Sequence, residues 1–414
     1  MKRTGKIAGS FLLTALAGLF VYSFNLSGEF SYNAPSEAPN KNTTDVVEKK
    51  VKHVKTPKPV KAVYMTQCFA SRTDLRKNLV KLIEDTELNS LVIDIKDYTG
   101  TVSFKTMNPE IDAVSAKGSG CQVNDMKEFV EELHDKNIYV IGRITVFQDP
   151  LYTKLHPELA VKKLSDKEAV WKDRKGLSFV DVGAKPFWDY ILAIATSSYS
   201  IGFDEINFDY IRFPSDGDMN DIYFSHTGSL PAGGSKKEML REFFRYVDSR
   251  LFGTGVITSA DIFGMTTTNT DDLNIGQVLE YALENFDYVA PMVYPSHYPP
   301  KFNGWPDPNK VPYEIVNFSM QSAVSRAIFL LSEVSTTTRS TSSGQATTTE
   351  PDYYLMKRIN PLQLRPWLQD FDYPVPYTSD MVRKQIQATY DAGLDSWMLW
   401  DPRNEYTPGA LLSD

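Results

Sequence analysis

From residue 61 onward, short apolar runs alternate with amphipathic stretches. Eight of the runs read as strands. They are "KAVYMTQ" (61–67), "SLVIDIKD" (90–97), "YVIGRITVF" (139–147), "FDEINFDYI" (203–211), "VITSADIF" (256–263), "YVAPMVYP" (288–295), "LRPWLQDF" (364–371) and "SWMLWD" (396–401). Helical patterns lie between them, with apolar residues recurring every three or four positions. Examples are "RTDLRKNLVKLIEDTE" (72–87), "VNDMKEFVEELHDKN" (123–137), "KKEMLREFFRYVDSRL" (236–251) and "SDMVRKQIQATYDAG" (379–393), where Gly393 suits a C-cap. Strands that alternate with helices pair in parallel. Eight such units predict an α/β fold, a (β/α)8 TIM barrel with long loops on its C-terminal face. An open doubly wound sheet is the alternative, but no Gly-rich phosphate loop follows the first strand.

The pattern changes at two places. Residues 7–26, "IAGSFLLTALAGLFVYSFNL", carry no charge and follow Lys2, Arg3 and Lys6. That length and charge asymmetry predict an N-terminal transmembrane or signal segment. The absence of a small-residue cleavage site favours a retained signal anchor over a cleaved signal peptide. Either one exports the rest of the chain, which is then membrane-anchored and facing the exterior or periplasm, or secreted. Residues 27–60 are polar and rich in Ser, Asn, Lys and Pro, as in a flexible tether. The segment 332–350 is a Ser/Thr-rich loop insertion within the folded region 61–414.

Period-two alternation separates the acids of the fourth strand. Ile206, Phe208 and Tyr210 share the face toward the helices, while Glu205, Asn207 and Asp209 point into the barrel. Asp209 comes last and belongs at the mouth. Glu205 is a deeper supporting partner, and Asp204 takes a structural role at the strand start. The same rule turns Asp94 and Lys96 inward against Leu91, Ile93 and Ile95. It also turns Arg143 inward with Ile141 and Thr145, and Asp261 with Ser259 and Ile257.

An internal salt-bridge network accounts for Asp94, Lys96 and Arg143 as well as a functional cavity does. Two acids at the mouth, Asp209 and Asp261, instead fit the carboxylate pair that cleaves glycosidic bonds. Lys96, Arg143 and Arg212 are then countercharges or substrate contacts. Tyr294 and Trp400 are candidate substrate-binding or supporting residues; aromatic faces at Tyr298, Trp305, Trp397, Trp400 and Tyr406 suit stacking on sugar rings, and Trp397 or Trp400 suits the core equally.

Charge and composition remove other classes. A net charge of −8 with no basic stripe beyond residue 61 argues against a nucleic-acid partner. The histidines at 53, 134, 156, 226 and 297 lack metal-ligand spacing. The acidic loop "PSDGDMNDIY" (214–223) lacks the EF-hand pattern and reads as solvated, so neither a metal nor a cofactor is expected. Cys68 and Cys121 fall at the same end of the barrel, compatible with a disulfide or with two thiols.

Four stretches resemble a family. "VIDIKDYTG" (92–100), "GRITVFQDP" (142–150), "FDEINFDYIRFP" (203–214) and "VAPMVYPSHY" (289–298) are similar to bacterial glycoside-hydrolase-like barrels of unknown function. The resemblance spans residues 61–403, and that family is distantly similar to alpha-amylase and alpha-galactosidase type barrels. It implies a nucleophilic Asp at the end of the fourth strand, which falls on Asp209. In the amylase-like pattern the proton donor ending the fifth strand is Glu, where this sequence has Asp261. The implied function is an exported glycoside hydrolase acting on an envelope or extracellular polysaccharide or oligosaccharide. The alternative is a non-catalytic, surface-anchored carbohydrate-binding protein on a degenerate hydrolase barrel.

Overall fold

Eight parallel strands close into a barrel in the computed structural model, which describes residues 51–229, 235–337 and 359–413. In chain order they are β1 (Lys61–Met65), β2 (Ser90–Lys96), β3 (Tyr139–Thr145) and β4 (Glu205–Asp209). β5 (Ile257–Phe263), β6 (Tyr288–Met292), β7 (Trp367–Gln369) and β8 (Trp397–Trp400) complete the ring. Each strand pairs with its sequence neighbours, and β8 pairs with β1. All eight predicted strands form, and every one is shorter than its apolar run, because the ends of the runs bend into loops.

Alternation builds two apolar layers. Ala62, Tyr64, Val92, Ile141, Trp367 and Met398 fill the barrel interior. Ile93, Ile95, Ile206, Phe208, Leu368 and Leu399 face outward into a larger core with the helices. The four predicted helices appear as Thr73–Glu84, Met126–Asp135, Lys236–Leu251 and Ser379–Asp391. Gly142 of β3 leaves room for that outer layer, since a Cβ there would lie 2.2 Å from Ile95 Cδ1.

The N-terminal face of the barrel is closed by residues 51–60, which the sequence pattern assigns to the tether. They pack because the barrel offers acceptors for their backbone. Val54 N donates to Asp204 Oδ1 at 2.7 Å. Asp204 Oδ2 takes Val140 N and pairs with His134 Nε2, each at 2.9 Å. Thr56 Oγ1 and Tyr139 OH lie 3.0 Å apart, and Val60 is fully buried. Asp204 is thereby a fold-closing residue on the side opposite the mouth.

Cys68, in the short helix Gln67–Ala70 after β1, and Cys121, in the connection after β2, form a disulfide with Cα atoms 5.0 Å apart. The helix Pro312–Thr337 runs into the start of the predicted insertion at 332–350, and residues 338–350 lie outside the described residues. The predicted membrane or signal segment also lies outside them. Among the described residues, no helix is long and apolar enough to cross a membrane.

Replacing Asp204 by Ala strands two backbone N–H groups and a histidine at the barrel floor. Asp204→Ala is expected to cost about 3 kcal/mol, read from the urea midpoint at unchanged m. Asp204→Asn, which keeps an acceptor, should cost less.

Candidate active site

β3 and β4 run in register, so that Arg143 lies beside Asn207 on one side and beside Asp94 of β2 on the other. Its guanidinium therefore projects into the mouth among three acids. Nη1 donates to Asp94 Oδ1 at 2.6 Å. Nε donates to Asp209 Oδ2 at 3.1 Å, and Nη2 donates to the same oxygen. Asp261 Oδ2 lies 3.9 Å from Nε. Trp400 and Tyr64 cover the cation, with ring centres 5.0 and 5.6 Å from Cζ.

The three acids are not equivalent. Tyr64 OH donates to Asp94 Oδ2 at 2.5 Å. Burial outweighs the pull of Arg143 and pushes Asp94 up to about 6. Asp261 Oδ1 accepts two N–H bonds, from Asn207 at 2.9 Å and from Trp367 Nε1 at 2.8 Å. Burial, reinforced by the charge of Asp209, raises Asp261 well above the usual carboxylate range. With Oδ1 occupied by donors, the proton of a neutral Asp261 belongs on Oδ2. Asp209 Oδ1 accepts the backbone N–H of Tyr210. Because both Oδ2 atoms approach the same Nε, they are no more than about 7 Å apart.

A cavity of about 500 Å³ opens over this group, lined by Arg143, Asp209, Arg212, Asp261, Tyr294 and Trp400, among others. A second lobe of about 740 Å³ begins across Arg143 and Trp400 and reaches Asp94, Asp97 and Asp173. A groove of about 750 Å³ on the outer helices contains none of these acids.

Most of the predicted site residues meet at this mouth: Asp94, Arg143, Asp209, Arg212, Asp261, Tyr294 and Trp400. Glu205 lies one layer deeper. It takes Arg365 Nη1 at 2.9 and 3.2 Å and Tyr139 OH at 3.0 Å, while Arg365 packs on the Tyr288 ring.

One predicted orientation fails and another is met only in part. The β2–β3 register slips between Asp94 and Lys96, which breaks the alternation. Lys96 consequently turns out of the barrel, pairing with Asp149 at 2.8 Å beneath Phe187, fully buried and outside both lobes. It cannot hold Asp209 ionised or touch substrate. Tyr210, predicted to face the helices, follows the last residue of β4 with φ +51°, and it packs on the outer core while also lining the cavity. Arg212 makes no ion pair with Asp209, since Arg143 occupies that role. Among the other aromatics, Trp397 is core, donating to Tyr390 OH, and Trp305 packs on Phe318. Tyr406 OH binds the backbone of Tyr64, and Tyr298 lines the cavity wall.

Sequence reasoning missed Tyr64, Trp367 and Arg365. Alternation along β1 places Tyr64 inward with Ala62 and was sufficient to find it. β7 is only three residues long, too short for a period to reveal Trp367. Among the described residues, no group of three or more His, Cys, Asp or Glu is arranged to hold a metal.

No curated protein matches the chain. Among solved structures, a hypothetical protein from Ruminiclostridium thermocellum is 32% identical, covering 51% of this chain and 98% of its own, with a TM-score of 0.43. The PgaB (BpsB) glycoside hydrolase domain from Bordetella bronchiseptica is 11% identical, covering 83% of this chain and 94% of its own. Its TM-score of 0.54 is a likeness of fold. The spore cortex-lytic enzyme SleL of Bacillus megaterium is 10% identical over 85% of this chain and 72% of its own, with a TM-score of 0.45. Residues 62–406, the entire barrel from β1 to beyond β8, match the family model described as "Putative glycosyl hydrolase domain", and the chain belongs to that family.

Proposed function

We propose that the chain is a retaining glycoside hydrolase that uses Asp209 as nucleophile and Asp261 as acid/base. One observation carries the reading: Arg143 grips Asp209, while Asp261 is held toward its neutral form within about 7 Å of it. That limit admits the spacing of about 5–5.5 Å used by retaining enzymes and only the lower edge of the inverting range, about 6.5–9.5 Å.

In the first step Asp209 Oδ1 attacks the anomeric carbon as the glycosidic C–O bond breaks. Asp261 Oδ2 gives its proton to the departing oxygen, and a glycosyl ester forms on Asp209. Asp261, now anionic, takes a proton from water, which attacks the same carbon and frees Asp209. Arg143 supplies the countercharge to Asp209 before the attack and again once water has freed it. Trp400, stacked on Tyr64 at 3.8 Å, and Tyr294 offer the aromatic faces for the sugar.

An envelope or extracellular polysaccharide is the substrate, with membrane attachment through residues 7–26. The charge pattern of the N-terminus supports export, as does the Cys68–Cys121 disulfide, which persists in an oxidising compartment.

Asp209→Asn in the full-length protein should lower kcat on a cleaved polysaccharide by at least about 10³-fold. Unchanged cleavage by that variant sinks the mechanism, and glycan affinity without turnover in the parent favours a binding protein. Asp261→Asn should lose most activity on polysaccharide but retain more on aryl glycosides whose phenol leaves without protonation. Proton NMR of the first-formed product should show the anomer of the substrate.

The pH dependence follows from the pair. Burial and, after it, the neighbouring anion hold the Asp261 proton, so kcat/KM should fall on the alkaline side as the pair loses it. Removing that anion makes deprotonation easier. Carboxyl ¹³C NMR should therefore find Asp261 titrating at lower pH in Asp209→Asn than in the parent.

A further inference from the structure

The mouth contains one buried cation that the reaction leaves unused. Arg212 lies three residues beyond β4 and is 9% exposed. Four arginines are buried among the described residues, and three have carboxylate partners. Arg76 pairs with Asp125, Arg143 with Asp94 and Asp209, and Arg365 with Glu205. Arg212 pairs with none. Its Nη1 donates to the Phe213 carbonyl at 3.0 Å. The rings of Tyr210, Phe263 and Phe179 lie 4.9, 5.0 and 5.8 Å from its Cζ.

The free edge of Arg212 faces the cavity and is open to a partner from outside the protein. Three cation–π contacts, about 0.5–2 kcal/mol each, hold the guanidinium in that place. Three carboxylates act on Arg212 without pairing with it: Asp209 is held by Arg143, Asp216 is half-buried in the loop beyond, and Asp173 is committed to the N–H groups of Lys175 and Leu177 and to Gln148 Nε2. Rings around the cation and a carbonyl on Nη1 leave the Nε–Nη2 edge without an acceptor. Arg212 borders both lobes, where they join beside Asp209. Two parallel N–H donors on that edge match the two oxygens of a carboxylate.

We propose that Arg212 is a specificity residue that receives the carboxylate of an acidic sugar adjoining the scissile bond, so that the substrate is an acidic polysaccharide. This rests on the glycoside hydrolase reading of the same cavity. Sulfate and phosphate esters present similar anionic oxygens, and the test separates them from a carboxylate.

The test is binding of glucuronate, glucose, glucose 6-sulfate and glucose 6-phosphate to the full-length protein, followed by ligand-observed NMR. Glucuronate should bind at least about tenfold more tightly than glucose and more tightly than either ester. Arg212→Gln should reduce glucuronate to the level of glucose, and Arg212→Lys should leave an intermediate preference. Equal binding of glucuronate and glucose, or no glucuronate signal at tens of millimolar, overturns the proposal. So does a preference that survives in Arg212→Gln, and tighter ester binding overturns the carboxylate assignment. If Arg212→Gln does not fold, the parent protein and Arg212→Lys still decide the matter. Because the readout is binding, failure to cleave any glycan defeats the hydrolase reading alone. Cleavage without a preference for glucuronate defeats only this proposal.

Discussion

The guanidinium of Arg143 is the constraint around which the mouth is arranged. A cation placed inside a barrel is costly to desolvate and must be met by anions in good geometry. β2 supplies Asp94, β4 supplies Asp209, and β5 brings Asp261 to the margin of the same group. Three strands are thereby tied to one side chain. Burial first, and the charge of Asp209 second, push Asp261 well above the usual carboxylate range against the pull of Arg143. Asp261 is thereby set apart from the acids that Arg143 holds directly.

A second charged layer lies beneath the first. Glu205 and Arg365 satisfy each other near the middle of the barrel, with Tyr139 and Tyr288 packed around them. The two layers have separate partners, so the lower pair does not compete for Asp209. Asn207 stands between the layers on the same strand face and hands one N–H to Ser259 and another to Asp261. It converts strand register into the orientation of the Asp261 carboxyl. That is why Oδ2, rather than Oδ1, is left to carry the proton.

The barrel and most of its mouth were legible in the sequence because alternation survives wherever strands are regular. It placed Asp209, Asp261, Arg143 and Asp94 on inward faces, and the structure brings them together. It failed at irregularities. A register slip at Lys96 turns that side chain into the outer core, and the left-handed Tyr210 lines the cavity as well as packing on the outer core. Neither event has a signature in residue type, since lysine and tyrosine suit both environments. Arg365 and Trp367 escaped notice because β7 is brief and preceded by proline. The packing of residues 51–60 was hidden by composition. Their polar, proline-rich character resembles a tether, but their backbone N–H groups and Val54 and Val60 find partners only once the barrel floor exists.

That floor also sets a direction. Residues 51–60 join the barrel beside Asp204 and His134, at the N-terminal ends of β3 and β4, whereas Asp209 and Asp261 lie toward the opposite ends of their strands. Residues 51–60 therefore run along the base and take no space at the rim. The aperture above Asp209 and Asp261 is bounded by the segments that follow the strands, and closing the floor does nothing to narrow it.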